Sequence, residues 1–169
     1  PPVVRSAPEP APNIILTLDD SGSMAWNVNN DNKAPRGQSR MDYFKAAANQ
    51  AFNTYNNGIF RLAYQSINGN GSSTYRALGF TTTQTRNLMK PFEGRHRTEF
   101  FTWLNGLDAE GSTPLRARTL GAGQYAMGYV SGSLRIGARD TYTYDNKTYR
   151  YDPLNGLDCR RSIHILLTD

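Results

Sequence analysis

Residues 13–24 read Asn-Ile-Ile-Leu-Thr-Leu-Asp-Asp-Ser-Gly-Ser-Met, and this stretch decides the fold. Its first six residues form an apolar run bounded by turn formers, which predicts a strand buried on both faces, as in a parallel sheet. A similar run, Ser162–Leu167, predicts a second buried strand and leads into Thr168-Asp169. Both strands therefore end beside an aspartate. The carboxyl ends of parallel strands are where α/β proteins bind their ligands.

The segments between these two strands predict a three-layer α/β fold with a mostly parallel sheet and flanking helices. Ser39 is the predicted N-cap of a helix whose apolar residues recur from Met41 to Tyr55, with Gly58 as its stop. Thr113 is the predicted N-cap of the last helix, with Pro114 at its first position. The other predicted elements are strands at Ile59–Ile67 and Thr74–Thr83, antiparallel to each other, and helices at Arg95–Leu104 and from Leu115 to about Val130.

Composition limits the classes of protein and of site. The chain has 169 residues, 38% of them hydrophobic, which suits one domain with a packed core. The net charge of +5 comes from scattered lysines and arginines, which argues against a nucleic-acid binder. No apolar run reaches the ~20 residues that span a bilayer. One cysteine and two histidines argue against a zinc site.

Three regions are predicted along the chain. Residues 1–12 contain five prolines and suggest an extended leader or linker. Residues 13–169 form the predicted domain, and residues 131–158 look like an insertion within it. The insertion contains Thr141–Tyr144 and Thr148–Tyr151 around Asp145-Asn146-Lys147, which predicts a β-hairpin with a three-residue turn.

The tyrosines of this hairpin are a candidate recognition surface, because aromatic residues are enriched at interfaces. They are Tyr142, Tyr144, Tyr149 and Tyr151. Tyrosines are also good strand formers, so strand formation alone is an alternative explanation.

Five oxygen-bearing side chains are predicted to meet at one edge of the sheet and bind a metal ion. They are Asp19, Ser21, Ser23, Thr113 and Asp169. Such oxygen ligands suit Mg²⁺ or Mn²⁺, with Ca²⁺ less favoured because carboxylates are few. A turn that caps the next helix, and a plain N-cap role for Thr113, are the structural alternatives. Asp20 and the segment 95–97 are expected to be solvated, and His164 to be packed.

These motifs resemble a known family. Asp19-x-Ser21-x-Ser23, Gly-Ser-Thr113-Pro and a strand ending in Thr-Asp169 are similar to the metal-ion-dependent adhesion site of von Willebrand factor A domains, which have a Rossmann-like fold. The amino-acid sequences of residues 13–24 and 159–169 resemble the corresponding stretches in the N-terminal domain of PilC/PilY-type proteins of the type IV pilus. The resemblance implies direct metal contacts from the hydroxyls, with Thr113 making its contact either always or in only one state, and largely water-mediated contacts from the two aspartates. It also implies a domain that normally continues beyond Asp169.

The resemblance implies a non-enzymatic role in adhesion and pilus biogenesis. The expected partners are a protein or surface that offers a carboxylate to the metal, and minor pilins at the pilus tip. The expected location is outside the cell, at the surface, pilus tip or outer membrane of a Gram-negative bacterium. Cys159 would then be half of a disulfide, or else a buried free thiol.

Two other functions remain open from the residues themselves. A Mg²⁺-dependent phosphoryl-transfer or hydrolase domain would also place aspartates at strand ends. The aspartyl-nucleophile phosphatases need Asp-x-Asp at the first strand, whereas this chain has Ser21 at the third position. A structural domain with a non-functional metal site is the other alternative.

Overall fold

The computed structural model describes residues 9–68, 79–82, 84–130, 134–135, 140–154 and 160–169. The strands are β1 (Asn13–Leu18), β2 (Arg61–Ser66), β3 (Lys90–Pro91), β4 (Tyr129–Val130), β5 (Leu134–Arg135), β6 (Thr141–Tyr144), β7 (Lys147–Arg150) and β8 (Ser162–Leu167). The helices are α1 (Arg40–Asn53), α2 (Gly94–Asn105) and α3 (Leu115–Ala126), with a short 3₁₀ helix at Gly22–Ala25.

The main sheet confirms the predicted mixed α/β architecture. Its strand order is β3-β2-β1-β8, and β1 pairs in parallel with both β2 and β8. The short strand β3 is antiparallel to β2. Leu18 lies opposite both Ser66 and Leu167, so the three parallel strands end at one edge of the sheet.

Helices cover both faces of this sheet. Leu16 and Tyr64 face a core cluster that includes residues of α1 and α2, whereas Ile15 and Ala63 face a second cluster with α3 and the hairpin. Adjacent residues of a strand point to opposite faces, so neighbours on β1 and β2 divide between the two clusters. All six residues of β2 are buried, as a central strand in three layers requires.

The start of α1 is as predicted, but the start of α3 is not. Ser39 and Asp42 form a reciprocal capping box. For α3, the prediction that Thr113 caps the helix is wrong: Pro114 occupies the cap position with ψ 50°, outside the helical range, and no side chain caps the helix. The helix ends at Ala126 rather than near Val130, because Gly128 has φ +81° and leaves the helical conformation.

Two strand predictions need correction. Ser162–Leu167 forms β8 but is largely exposed rather than buried, because among the described residues it pairs only with β1 at the edge of the sheet. In the predicted strand Thr74–Thr83, residues 79–82 adopt bends and the others lie outside the described residues. Among the described residues, the antiparallel neighbour of β2 is β3.

The hairpin forms, with a different turn and a different exposure of its tyrosines. Asp145 and Asn146 both have positive φ, which makes a two-residue turn, so Lys147 begins β7 and pairs with Tyr144. Tyr142 and Tyr144 are only 6% and 8% exposed. They pack into the second core cluster, so these two side chains face the interior rather than solvent; the alternation identified a shared face but not which face meets solvent.

Among the described residues, no helix has the length and apolar character needed to cross a membrane. Residues 9–12 of the predicted leader have no helix or strand. Cys159, with its predicted disulfide or thiol role, lies outside the described residues.

Candidate metal site

The site begins where β1 ends, in a loop whose hydroxyls converge beside a buried aspartate. The Ser21 amide donates a hydrogen bond to Asp19 Oδ1 at 2.8 Å, which turns the chain directly after the strand. The Oγ atoms of Ser21 and Ser23 lie 3.0 Å apart. Asp19 and Ser21 are almost fully buried, and Ser23 is half-buried.

The end of β8 contacts the same loop. The Asp19 amide donates to the Leu167 carbonyl at 2.9 Å, continuing the pairing of β1 with β8 by one residue. Thr168 Oγ1 then donates to Asp19 Oδ2 at 2.6 Å. The two strand-end motifs quoted from the sequence therefore meet, as their common edge in a parallel sheet predicts.

Asp169 itself forms an ion pair with a residue of α1. Arg40 donates to Asp169 Oδ2 at 2.8 Å and to Asp31 Oδ1 at 3.1 Å. Asp169 is thus placed next to Thr168 and the site loop, but its charge is neutralised by an arginine.

The loop that carries Thr113 comes close to the site through its backbone. The Gly22 amide donates to the Gly111 carbonyl at 3.2 Å. A Cβ on Gly22 would lie 3.5 Å from that same oxygen, so the two loops touch. Thr113 is exposed, and among the described residues its hydroxyl has no hydrogen bond to the site loop. The structure therefore brings its loop to the site without bringing its hydroxyl into contact.

Asn68, just after β2, fastens these loops together. Its amide nitrogen Nδ2 donates to the carbonyls of Glu110 and Ser112, at 2.8 and 2.5 Å. Its backbone amide donates to Asp20 Oδ1 at 2.8 Å. Asn68 is not among the residues predicted from the sequence, although it is a polar residue at the same strand edge as Asp19 and Asp169. Thr168 and Arg40 were missed as well.

Asp20 is buried, which corrects the expectation that it is solvated. Its carbonyl accepts from the Glu110 amide at 2.9 Å, in addition to the contact of its carboxylate with Asn68. Arg118 of α3 lies near this carboxylate: burial lowers the pKa of Arg118, and the charge of Asp20 opposes that shift. Asp20 thus holds neighbouring segments in place, while the Asp19 carboxylate accepts from the Ser21 amide and the Thr168 hydroxyl.

The two histidines, both outside the site, differ in their burial. His96 was expected on a solvated face but is buried, with its Nε2 atom 2.8 Å from the Leu62 carbonyl, and burial lowers its pKa to about 3. His164 Nε2 lies 2.9 Å from Thr17 Oγ1, although its side chain is exposed at the sheet edge.

The oxygen atoms gathered here fit a hard divalent cation. Asp19 supplies a carboxylate, and Ser21 and Ser23 supply hydroxyls close enough to share one ion's coordination shell. Asp169 and Thr113 lie on adjoining segments, from which water-mediated contacts or small movements would bring them to the ion. No group of three or more histidine, cysteine, aspartate or glutamate ligands occurs among the described residues, so any metal here depends on hydroxyls.

Comparison with known proteins gives one group of relatives. No protein-family model and no solved structure matches the chain. The chain is 30% identical over 125 residues to the type IV pilus biogenesis factor PilY1 of Pseudomonas aeruginosa PAO1, and 31% identical over 125 residues to that of strain PAK. Each match covers 74% of this chain and 10% of the relative. The chain is therefore similar to about one tenth of a much longer pilus biogenesis factor.

Proposed function

We propose that this chain is a metal-dependent interaction domain of a type IV pilus-associated protein. The observation that carries the proposal is the pair of serine hydroxyls 3.0 Å apart beside the buried carboxylate of Asp19. The similarity to PilY1 supplies the pilus context. The resemblance to the adhesion site of von Willebrand factor A domains supplies the proposed mode of action.

In this proposal, Asp19, Ser21 and Ser23 hold Mg²⁺ or Mn²⁺, assisted by Thr113 and Asp169. A cation held mainly by neutral hydroxyls keeps much of its charge, so it attracts a further carboxylate from outside the chain. The partner is a protein or surface that offers this carboxylate, with minor pilins as the first candidates. The proposed location is the pilus or cell surface, and the proposed role is attachment and pilus biogenesis without catalysis.

Calorimetry tests the metal site directly. We expect the purified protein to bind Mg²⁺ or Mn²⁺, and the double variant Asp19→Ala, Ser21→Ala to lose this binding. Asp140→Asn is the matched control, since it removes an exposed carboxylate at the start of the hairpin. Equal binding by the wild type and the double variant would contradict the assignment.

The contacts of Asp19 also favour a structural alternative. Both of its carboxylate oxygens already accept hydrogen bonds, from the Ser21 amide and the Thr168 hydroxyl, as they would in a site that only fastens two strand ends. A second experiment separates the two roles: capture of purified minor pilins with Mg²⁺ and after chelation with EDTA. The adhesion proposal requires capture that depends on Mg²⁺ and on Asp19, whereas capture unaffected by both favours the structural role.

A further inference from the structure

Arg40, the first residue of α1, forms an ion pair with the carboxylate of Asp169, two residues beyond the end of β8. Its guanidinium lies 2.8 Å from Asp169 Oδ2 and 3.1 Å from Asp31 Oδ1. The side chains of Arg40 and Asp169 are only 23% and 20% exposed, whereas Asp31 is 79% exposed. The bond to Asp169 is therefore the shorter and better shielded of the two, and water and salt screen it less.

The same arginine lies beside an indole ring and a cavity. Its guanidinium carbon is 5.8 Å from the centre of the Trp26 ring. Arg40 and Asp169 also line an open surface cavity of about 520 Å³, with Met24 and Val28 among its apolar residues. Solvent and ions can thus reach the carboxylate that Arg40 neutralises, and the Trp26 ring lies next to the guanidinium.

We propose that Arg40 competes with the cation for Asp169, and so links metal occupancy to the loop between residues 25 and 39. This inference rests on the proposed function, since it assigns a regulator to that same site. A carboxylate near a cation is drawn toward it, and a fixed positive charge beside the same carboxylate opposes cation binding. Cation binding therefore weakens the Arg40–Asp169 pair, and Arg40 keeps its contacts with Asp31 and Trp26. By linkage, contacts that hold Arg40 away from Asp169 raise the affinity for the cation.

Metal affinity in charge variants tests the competition. We expect Arg40→Gln to bind Mn²⁺ about fivefold more tightly than the wild type at constant ionic strength, the upper range for one partly exposed ion pair. Arg36→Gln is the matched control, because it removes an exposed arginine of the same loop. We expect it to change the affinity by less than about twofold, because long-range effects are screened by salt.

A second variant covers the case in which Arg40→Gln disturbs the start of α1. Asp31→Asn leaves Arg40 with Asp169 as its remaining carboxylate partner at this position, so we expect weaker Mn²⁺ binding than in the wild type. Tighter binding by Asp31→Asn would contradict the competition whatever the behaviour of Arg40→Gln.

Tryptophan emission gives an independent readout with Mg²⁺. Trp26 is 38% exposed and the other tryptophan, Trp103, is 1% exposed. We expect Mg²⁺ to change the emission of the wild type, and to change that of Arg40→Gln and Trp26→Phe far less.

The outcomes separate the two proposals. If the wild type binds the cation through Asp19, and an Arg40→Gln variant that keeps the wild-type fold binds it equally or more weakly, the competition is refuted and the metal site stands. An equal gain in affinity in Arg36→Gln refutes it too, since the effect would then be one of net charge. If the wild type binds no cation, the metal site and the competition are both refuted.

Discussion

Replacing Lys90 by methionine should remove a pH dependence of stability that its burial creates. Lys90 has no exposed surface, and its Nζ donates to the carbonyls of Leu88 and Thr85, at 2.9 and 2.5 Å. Its Nζ also lies 4.4 Å from the centre of the Tyr144 ring. Burial lowers the pKa of Lys90 from 10.5 to about 7, with the charge of Glu99 opposing this shift and that of Arg61 adding to it.

The sign and size of the effect follow from these two pKa values. Between pH 7 and 10.5 the unfolded chain keeps the Lys90 proton and the folded chain releases it, so the free energy of unfolding rises with pH. One pKa unit corresponds to about 1.4 kcal/mol. Because Lys90 is only half deprotonated in the folded chain at pH 7, we expect the free energy of unfolding to rise by about 2 kcal/mol from pH 7 to pH 9.

Urea denaturation of the wild type and Lys90→Met at pH 6, 7, 8 and 9 measures this gain. In the difference in unfolding free energy between the two proteins, the contributions of the titratable groups that they share cancel. We expect the wild type to gain about 2 kcal/mol relative to the variant between pH 7 and 9. The control is Lys147→Met, which replaces an exposed lysine of β7 and should leave the profile unchanged. A flat difference for Lys90→Met would refute the reasoning, and would mean that the two carbonyls and the tyrosine rings keep Lys90 charged in the folded state.

Three further predictions concern the site and α1. Ser39→Ala removes the hydroxyl that accepts from the Asp42 amide, while the amide of residue 39 can still donate to the Asp42 carboxylate, and it should lower the unfolding free energy by about 1 kcal/mol in urea denaturation. Asn68→Ala removes two hydrogen bonds to the carbonyls of Glu110 and Ser112, and should cost about 2 kcal/mol by the same assay and weaken cation binding. Gly111→Ala would place its Cβ 2.8 Å from Asn68 Oδ1 at φ +87°, so we expect destabilisation and, in calorimetry, poorer Mg²⁺ binding. An unchanged variant in any of these cases would contradict the contact on which its prediction depends.

The sequence predicted the fold best where a local pattern determines the structure. Three patterns are each contained within six residues, and each is found where it was predicted. They are the apolar run of β1, the apolar run of β8 and the capping box at Ser39. The predicted bounds of α3 were wrong because Pro114 and Gly128 adopt backbone conformations that their residue types permit but do not require. The predicted burial of β8 was wrong because an apolar run does not reveal how many neighbouring strands a strand has.

Part of the site could not be predicted, because its contacts join distant parts of the chain. Asp169 and Arg40 are separated by 129 residues, and Asn68 reaches Ser112 across 44. Motif spacing identified Asp19, Ser21 and Ser23 as candidates within one loop, but it carries no information on which charges lie opposite them. The hairpin tyrosines show the same limit, because their alternation did not reveal that Tyr142 and Tyr144 face the core.

The division of roles between the two neighbouring aspartates suggests how the site keeps its shape. Asp20 accepts hydrogen bonds from Asn68 and Glu110, and these bonds fix the loop against the end of β2 and the loop before α3. The position of Asp19 and the serines is therefore set by contacts within the protein. A loop held in this way loses little conformational freedom when an ion binds, which favours binding by few and weakly charged ligands. For the same reason, we expect added Mg²⁺ or EDTA to leave the surrounding fold unchanged. Under the proposed competition, the cost of binding would fall mainly on the Arg40–Asp169 pair.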